Sequence, residues 1–151
     1  MNLIVPLLPD NHILLDLEVG SKKRLFEHVG QLFEDRIGLA HSTVFDSLVA
    51  REKLGSTGLG HAIAIPHGRI KGLKQASGAL IRLKTPIDFD APDSTLVNLL
   101  FVLLVPAQAT DLHLQILGEL AEMFSDKQLR DALLAVPDAT SAHTLIQRWT
   151  A

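Results

Sequence analysis

Apolar residues first recur at helical spacing through Leu25, Val29, Leu32, Phe33 and Ile37. Ser21 before them is a good N-cap, and Gly38 after them stops the run. That segment predicts an amphipathic helix packed on a sheet. A second helix is expected from a Ser42 cap, burying Phe45, Leu48 and Val49 and ending near Gly55, with Arg51 in its last turn. Strand patterns separate these helices from others. Ile13–Leu17 reads as a first strand, preceded by an irregular lead-in with Pro6 and Pro9. Ser77–Lys84 alternates, with Ala79, Ile81 and Leu83 opposite Arg82 and Lys84, which predicts a half-exposed strand. Leu96–Val105 is almost continuously apolar and predicts a central strand covered on both faces, ended by Pro106. Between them, Thr85–Ser94 carries two prolines and three aspartates and predicts a turn-rich connector whose carboxylates face solvent. Thr110 or Asp111 then caps a helix through Leu112, Ile116, Leu117, Leu120 and Phe124. Asp126 opens a short one, and Thr140 or Ser141 a last one with Leu145, Ile146 and Trp149. The mixture predicts an α/β fold: one sandwich, a mixed β-sheet flanked by helices on both faces, occupying residues 1–151 with a core over about 4–149.

The stretch Gly55–Arg69 breaks this rhythm. It holds three glycines in six residues, then Ala62–Ile65, then Pro66, His67, Gly68 and Arg69. Glycines there let the backbone turn at positive φ and approach a ligand closely. Ala62–Ile65 reads as a brief buried strand, ended by Pro66, with His67 held at its mouth. Gly68–Gln75 reads as a surface loop.

Composition changes this picture only by exclusion. A net charge of −3, with Lys22-Lys23-Arg24 the one basic run, gives no basic patch for nucleic acid. That run is expected on the solvated side of its helix. The chain has no cysteine, which removes disulfides and thiol catalysis. Neither a signal-peptide pattern nor an apolar run of about 20 residues is present, so a cytoplasmic protein without membrane insertion is expected.

Several side chains then stand out as chemistry. His67 fits a nucleophile that holds a phosphoryl group on a ring nitrogen; a loop histidine bonding only backbone is the alternative. His113, at the start of the helix after the central strand, lies where sites of α/β sheets form, and a plain first-turn residue is its alternative. Arg51 and Arg69 flank the loop with guanidinium groups suited to equatorial phosphoryl oxygens. Ser56, Thr57, Gly58 and Gly60 fit a nest of backbone N–H groups for phosphate. The loop is neither a Walker A nor a dinucleotide fingerprint. No metal is expected: His61, His67 and His113 lack ligand spacing, and no carboxylate neighbours His67 in sequence. His12, His28, His41 and His143 are expected at the surface, and Met123 and Trp149 in packing.

Arg51-Glu-Lys-Leu-Gly-Ser-Thr-Gly-Leu-Gly followed by Ala-Ile-Pro-His67-Gly-Arg resembles the IIA component of the phosphoenolpyruvate-dependent phosphotransferase system, fructose/mannitol class. Thr85-Pro-Ile-Asp-Phe-Asp, Leu99–Pro106 and His113-Leu extend the resemblance over about residues 4–149. It is nearest the nitrogen-regulatory branch. The resemblance implies a mixed sheet flanked by helices, with no cofactor. It implies a phosphohistidine at His67, a second active-site histidine at His113 and a loop-preceding arginine at Arg51. Ser56 and Thr57 match the loop lining the site, with Gly58 beside them, and Arg69 matches a basic position. The implied partners are an HPr-type phosphocarrier of the nitrogen branch and regulated target proteins. The alternative is a sugar-specific component passing phosphate to a fructose/mannitol-type permease B component. A histidine-dependent hydrolase ranks last, lacking a carboxylate for its base. The donor surface is expected on an apolar rim, with Leu59 and Ile70 as contacts.

Overall fold

A computed structural model describes residues 2–108 and 110–150. Two 3₁₀ turns, Val5–Leu7 and Asp10–His12, lead into β1 (Ile13–Leu17), and α1 (Lys22–Ile37) and α2 (His41–Lys53) follow. Three short strands come next: β2 (Gly58–Gly60), β3 (Ile63–Ala64) and β4 (His67–Ile70). β5 (Ser77–Ile87), β6 (Val97–Pro106), α3 (Asp111–Ser125), α4 (Lys127–Ala135) and α5 (Ala139–Arg148) complete the chain.

The sheet is mixed, in the order β1-β5-β6-β3-β2, with β4 also paired to β6. Alternation along β6 feeds two cores, because successive side chains leave opposite faces of a strand. Leu99, Phe101, Leu103 and Val105 meet Ile116, Leu120, Met123 and Phe124 of α3, with Leu133 and Ile146 beyond. Leu100, Val102 and Leu104 meet Leu25, Val29 and Phe33 of α1 and Val44 and Leu48 of α2. Helices thus flank both faces, as the pattern predicts.

The capping signals mostly hold. Ser21 accepts the Arg24 N–H, and Gly38 closes α1 at φ 74°, where a Cβ would be strained. Asp126 caps α4. α2 differs from expectation: Ala40 occupies its N-cap with no side-chain bond, Ser42 lies inside the first turn, and the fully buried positions are Val44 and Leu48, while Phe45 and Val49 are half-buried. Asp138, rather than Thr140 or Ser141, caps α5, accepting the Ser141 N–H.

β5 runs three residues past the expected end and is buried on both faces up to Leu83. Even Arg82 is buried. Its guanidinium bonds both carboxylate oxygens of Asp16 (3.1 and 3.0 Å) and the carbonyls of Leu133 (3.0 Å) and Val136 (2.7 Å). A charged residue in a strand reads as solvent-facing, but here it satisfies the carbonyls at the end of α4, which no sequence period reports. The connector also does more than turn. Phe89 is buried, and Asp93 accepts the N–H groups of His61 (2.9 Å) and Thr95 (3.0 Å), which hold its carboxyl below the usual range. His12 is buried as well: its Nδ1–H donates to the Gly78 carbonyl at 2.9 Å, and its ring stands edge-on to Phe33. Lys22 leaves the solvated face to pair with Glu52 at 2.8 Å.

Arg82→Met keeps the volume but orphans the α4 carbonyls, so it is expected to lower unfolding stability by about 1–3 kcal/mol in urea titration. Asp16→Asn, at an exposed partner, should have the smaller effect. Equal midpoints for Arg82→Met and the parent chain would contradict this role.

Candidate functional site

His67 is not at a strand mouth. β3 and β4 pair with β6 in one unchanged parallel register, Ile63↔Leu99 and Ala64↔Leu100, then His67↔Leu103 through Ile70↔Pro106. They are two halves of one extended stretch. Pro66 interrupts the ladder without shifting its register: a strand residue aims its N–H and C=O the same way, so Pro66 forgoes one N–H bond to β6 while the pairs on either side of it stay aligned. The Pro66 carbonyl still accepts the Leu103 N–H at 2.9 Å. Residues 68–70, expected at the start of a surface loop, therefore belong to the sheet with His67. The outer edge of β4 is covered by α2, whose Ser47 Oγ donates to the Arg69 carbonyl at 3.0 Å. The approach is close enough that a Cβ on Gly68 would lie 2.3 Å from Ser47 Oγ, so glycine is required there.

This placement sets the imidazole. Nδ1 of His67 lies 2.9 Å from the Ile65 carbonyl. A carbonyl has no proton to give, so Nδ1 carries the hydrogen and Nε2 carries the lone pair. Arg51 Nε–H donates to that Nε2 at 3.2 Å, while its Nη1 donates to the Gly55 carbonyl at 2.8 Å. Burial is the largest influence on His67 and pulls its pKa below 6.5; the Arg51 charge acts the same way, and the Ile65 carbonyl and Glu52 oppose them. The ring is thus neutral and nucleophilic at pH 7.

His113 faces the same cleft from α3. Its Nδ1 accepts the Thr110 N–H at 3.2 Å, so Nε2 carries the hydrogen and is a donor. The cleft has a volume of about 490 Å³ and brings together Arg51, His67, Arg69 and His113. Two histidines of opposite tautomer and two guanidinium groups converge: a lone pair, a ring N–H and cationic forks. That set suits transfer of a phosphoryl group without a metal ligand.

The loop residues lie elsewhere. Ser56, Thr57 and Gly58 do not line this cleft among the described residues. Ser56 Oγ donates to the Phe89 carbonyl (2.5 Å) and accepts the Gly58 N–H (3.0 Å). Thr57 donates from Oγ1 (2.6 Å) and N (3.1 Å) to the two carboxylate oxygens of Glu52. A Cβ on Gly58 would meet Ala91 at 2.9 Å, so this glycine admits the connector instead of an anion. Glu52 is the residue that the linear pattern hides. Its side chain is only 7% exposed and also accepts from Lys22. With Arg51 gripping Gly55 and Glu52 gripping Thr57, the end of α2 clasps the loop from two adjacent residues. Glu52 reaches His67 only as a charge that opposes the lowering of its pKa; it bonds neither ring nitrogen and does not line the cleft among the described residues.

The rim also departs from expectation. Leu59 is exposed, but Ile70 is buried. The apolar rim is instead Leu54, 84% exposed, and Leu114, 69% exposed. The signal was available for Leu114, which falls off the Ile116–Leu120–Met123 stripe of α3 and is a leucine on a polar face.

The family model described as phosphoenolpyruvate-dependent sugar phosphotransferase system, EIIA 2, matches residues 6–149. The chain is 43% identical over 134 residues to the nitrogen regulatory protein of Pseudomonas aeruginosa, covering 88% of this chain and 87% of that one. The crystal structure of nitrogen regulatory protein IIA-Ntr from Neisseria meningitidis superposes with a TM-score of 0.91 at 54% identity, over 96% of this chain and 99% of that one. IIA mannitol from Escherichia coli shares the fold, with a TM-score of 0.74 at 19% identity, over 91% of this chain and 97% of that one. With a two-histidine cleft at a sheet edge, and matches that span nearly its whole length, the chain belongs to the EIIA type-2 family of the phosphotransferase system.

Proposed function

We propose that this chain is a phosphocarrier that accepts a phosphoryl group on His67 Nε2 from an HPr-type carrier of the nitrogen branch. The observation that carries this reading is the commitment of Nδ1 to the Ile65 carbonyl, which leaves Nε2 as the nucleophile inside the cleft. The Nε2 lone pair forms the new P–N bond as the P–N bond of the donor phosphohistidine breaks. The donor ring keeps the released electron pair and leaves as a neutral imidazole, while His67 keeps its Nδ1 proton. Both bonds are of one type, so the barrier is chiefly positional and electrostatic.

Arg51 then turns Nε–H from the ring nitrogen to the equatorial oxygens, and its hold on Gly55 limits how far it moves. His113 donates from Nε2 to a second oxygen, and Arg69 adds charge at the open side. Ser56, Thr57 and Gly58 act by holding the loop against Glu52 and the connector. Leu54 and Leu114 form the apolar ring on which the donor docks.

The output is regulatory: the phosphoryl oxygens bring close to two negative charges beside a ring that keeps its Nδ1 proton, a net change of about −1, and this changes which target protein binds. Likeness to proteins named nitrogen regulatory protein favours this over a sugar-specific role. If the phosphorylated chain instead loads a fructose/mannitol-type B component, the permease-linked reading replaces it.

Incubation with phosphoenolpyruvate, enzyme I and an HPr-type carrier should add one acid-labile phosphoryl group by intact mass. His67→Ala should take none, and His113→Ala should take it roughly a hundredfold more slowly. No addition with any carrier would overturn the proposal.

The pH profile follows from the lowered pKa. The accepting form is neutral, so the rate should hold as pH falls through 6.5 and drop only below it. Because the unfolded ring binds its proton first, stability should decline over the same window as pH falls. Arg51→Met removes a neighbouring charge and should move the drop to higher pH, in single-turnover phosphorylation against pH. A profile that moves the other way would contradict the assignment.

A further inference from the structure

A second concavity lies between α1 and α2. Phe26, Phe45 and Val49 form its apolar floor, and its volume is about 520 Å³. Lys22, Lys23 and Lys53 stand around it. The one acidic wall residue, Glu52, is nearly buried and already paired to Lys22 at 2.8 Å. Asp90, exposed on the connector, also lies 3.6 Å from Lys22, so Lys22 is matched by two carboxylates and the positive field at the mouth is that of Lys23 and Lys53. An apolar floor under a cationic rim matches an anionic head on an apolar tail, and it repels a cationic one.

The cleft is also wired to the proposed phosphoacceptor. Lys22 Nζ is shared among Glu52, the Phe89 carbonyl at 3.2 Å and the Asp90 carboxylate at 3.6 Å, and it lies over the Phe89 ring. Glu52 in turn holds Thr57 by two bonds and adjoins Arg51 on α2. An anionic head competes with Glu52 for Lys22. A carboxylate freed of one partner shifts its grip on Thr57, and with it the loop that Arg51 holds.

We infer that the α1/α2 cleft is a regulatory site for a small anionic amphiphile, a carboxylate with a short alkyl chain or ring, and that its occupancy is read at His67 through Lys22, Glu52 and Thr57. The second half rests on the phosphoacceptor reading of His67; the binding site does not, and the two fail separately.

Octanoate is the probe, with octyl glucoside and octylammonium as neutral and cationic controls, titrated into the full chain and followed by NMR. Octanoate should move the amides of Phe26, Phe45 and Val49 saturably, and the controls should bind weaker. Lys23→Glu with Lys53→Glu, both exposed, should weaken octanoate roughly tenfold, about what two screened charges contribute. The His67 ring resonances should shift with octanoate in the parent chain. Thr57→Val should keep octanoate binding while losing most of that shift. Equal binding of octanoate and octyl glucoside, or no saturable shift, would overturn the site. So would sedimentation showing a dimer closed over this face, which makes a second copy the occupant. Binding without any His67 shift would overturn the coupling.

Discussion

The hydrogen bond from His67 Nδ1 to the Ile65 carbonyl, 2.9 Å long, decides which ring nitrogen faces the cleft. Its two partners are two residues apart on one extended stretch, and the geometry persists because the stretch keeps its register on β6 across Pro66. A slip of one residue would turn His67 toward α2 and Gly68 toward α3, since alternate residues leave opposite faces. Gly68 lies too close to Ser47 for that exchange. The His67 ring is thus oriented by sheet register, and the register is held by the two cores that sandwich β6.

Charge around the ring is balanced instead of maximal. Arg51 lowers the pKa of His67 and Glu52 raises it, while burial exceeds either. The same two neighbours hold the loop, one at Gly55 and one at Thr57. Mechanical and electrostatic support come from one turn of α2. A change in Glu52 or its partner Lys22 must therefore act on both.

Much of this was legible in the linear pattern, and for physical reasons. Strand β6 is buried on both faces, so its composition is uniform. The helices α1 and α3 are amphipathic against a sheet, so their period is plain. His67, Arg51 and His113 stand out around a glycine loop and a helix start, and the fold brings all three to one cleft. The misses share a cause. Arg82, Glu52, Lys22 and His12 are polar residues paired across distant parts of the chain, and pairing over 30 or more positions leaves no local period. Pro66 misled in the opposite way: it forgoes one ladder bond, but the pairs before and after it hold the stretch in register on β6, and that support is a property of topology alone. Ser56 and Thr57 read as phosphate ligands because a glycine loop with hydroxyls suits an anion; their hydroxyls instead bond a carbonyl and a carboxylate that only the fold brings near.

The most direct test is ¹⁵N NMR of the His67 ring before and after phosphorylation, by long-range ring correlations. At pH 7 the free protein should show a neutral imidazole protonated on Nδ1, and the phosphorylated protein should carry phosphorus on Nε2 with the Nδ1 proton retained. A ring protonated on Nε2, or phosphorus on Nδ1, would contradict the account.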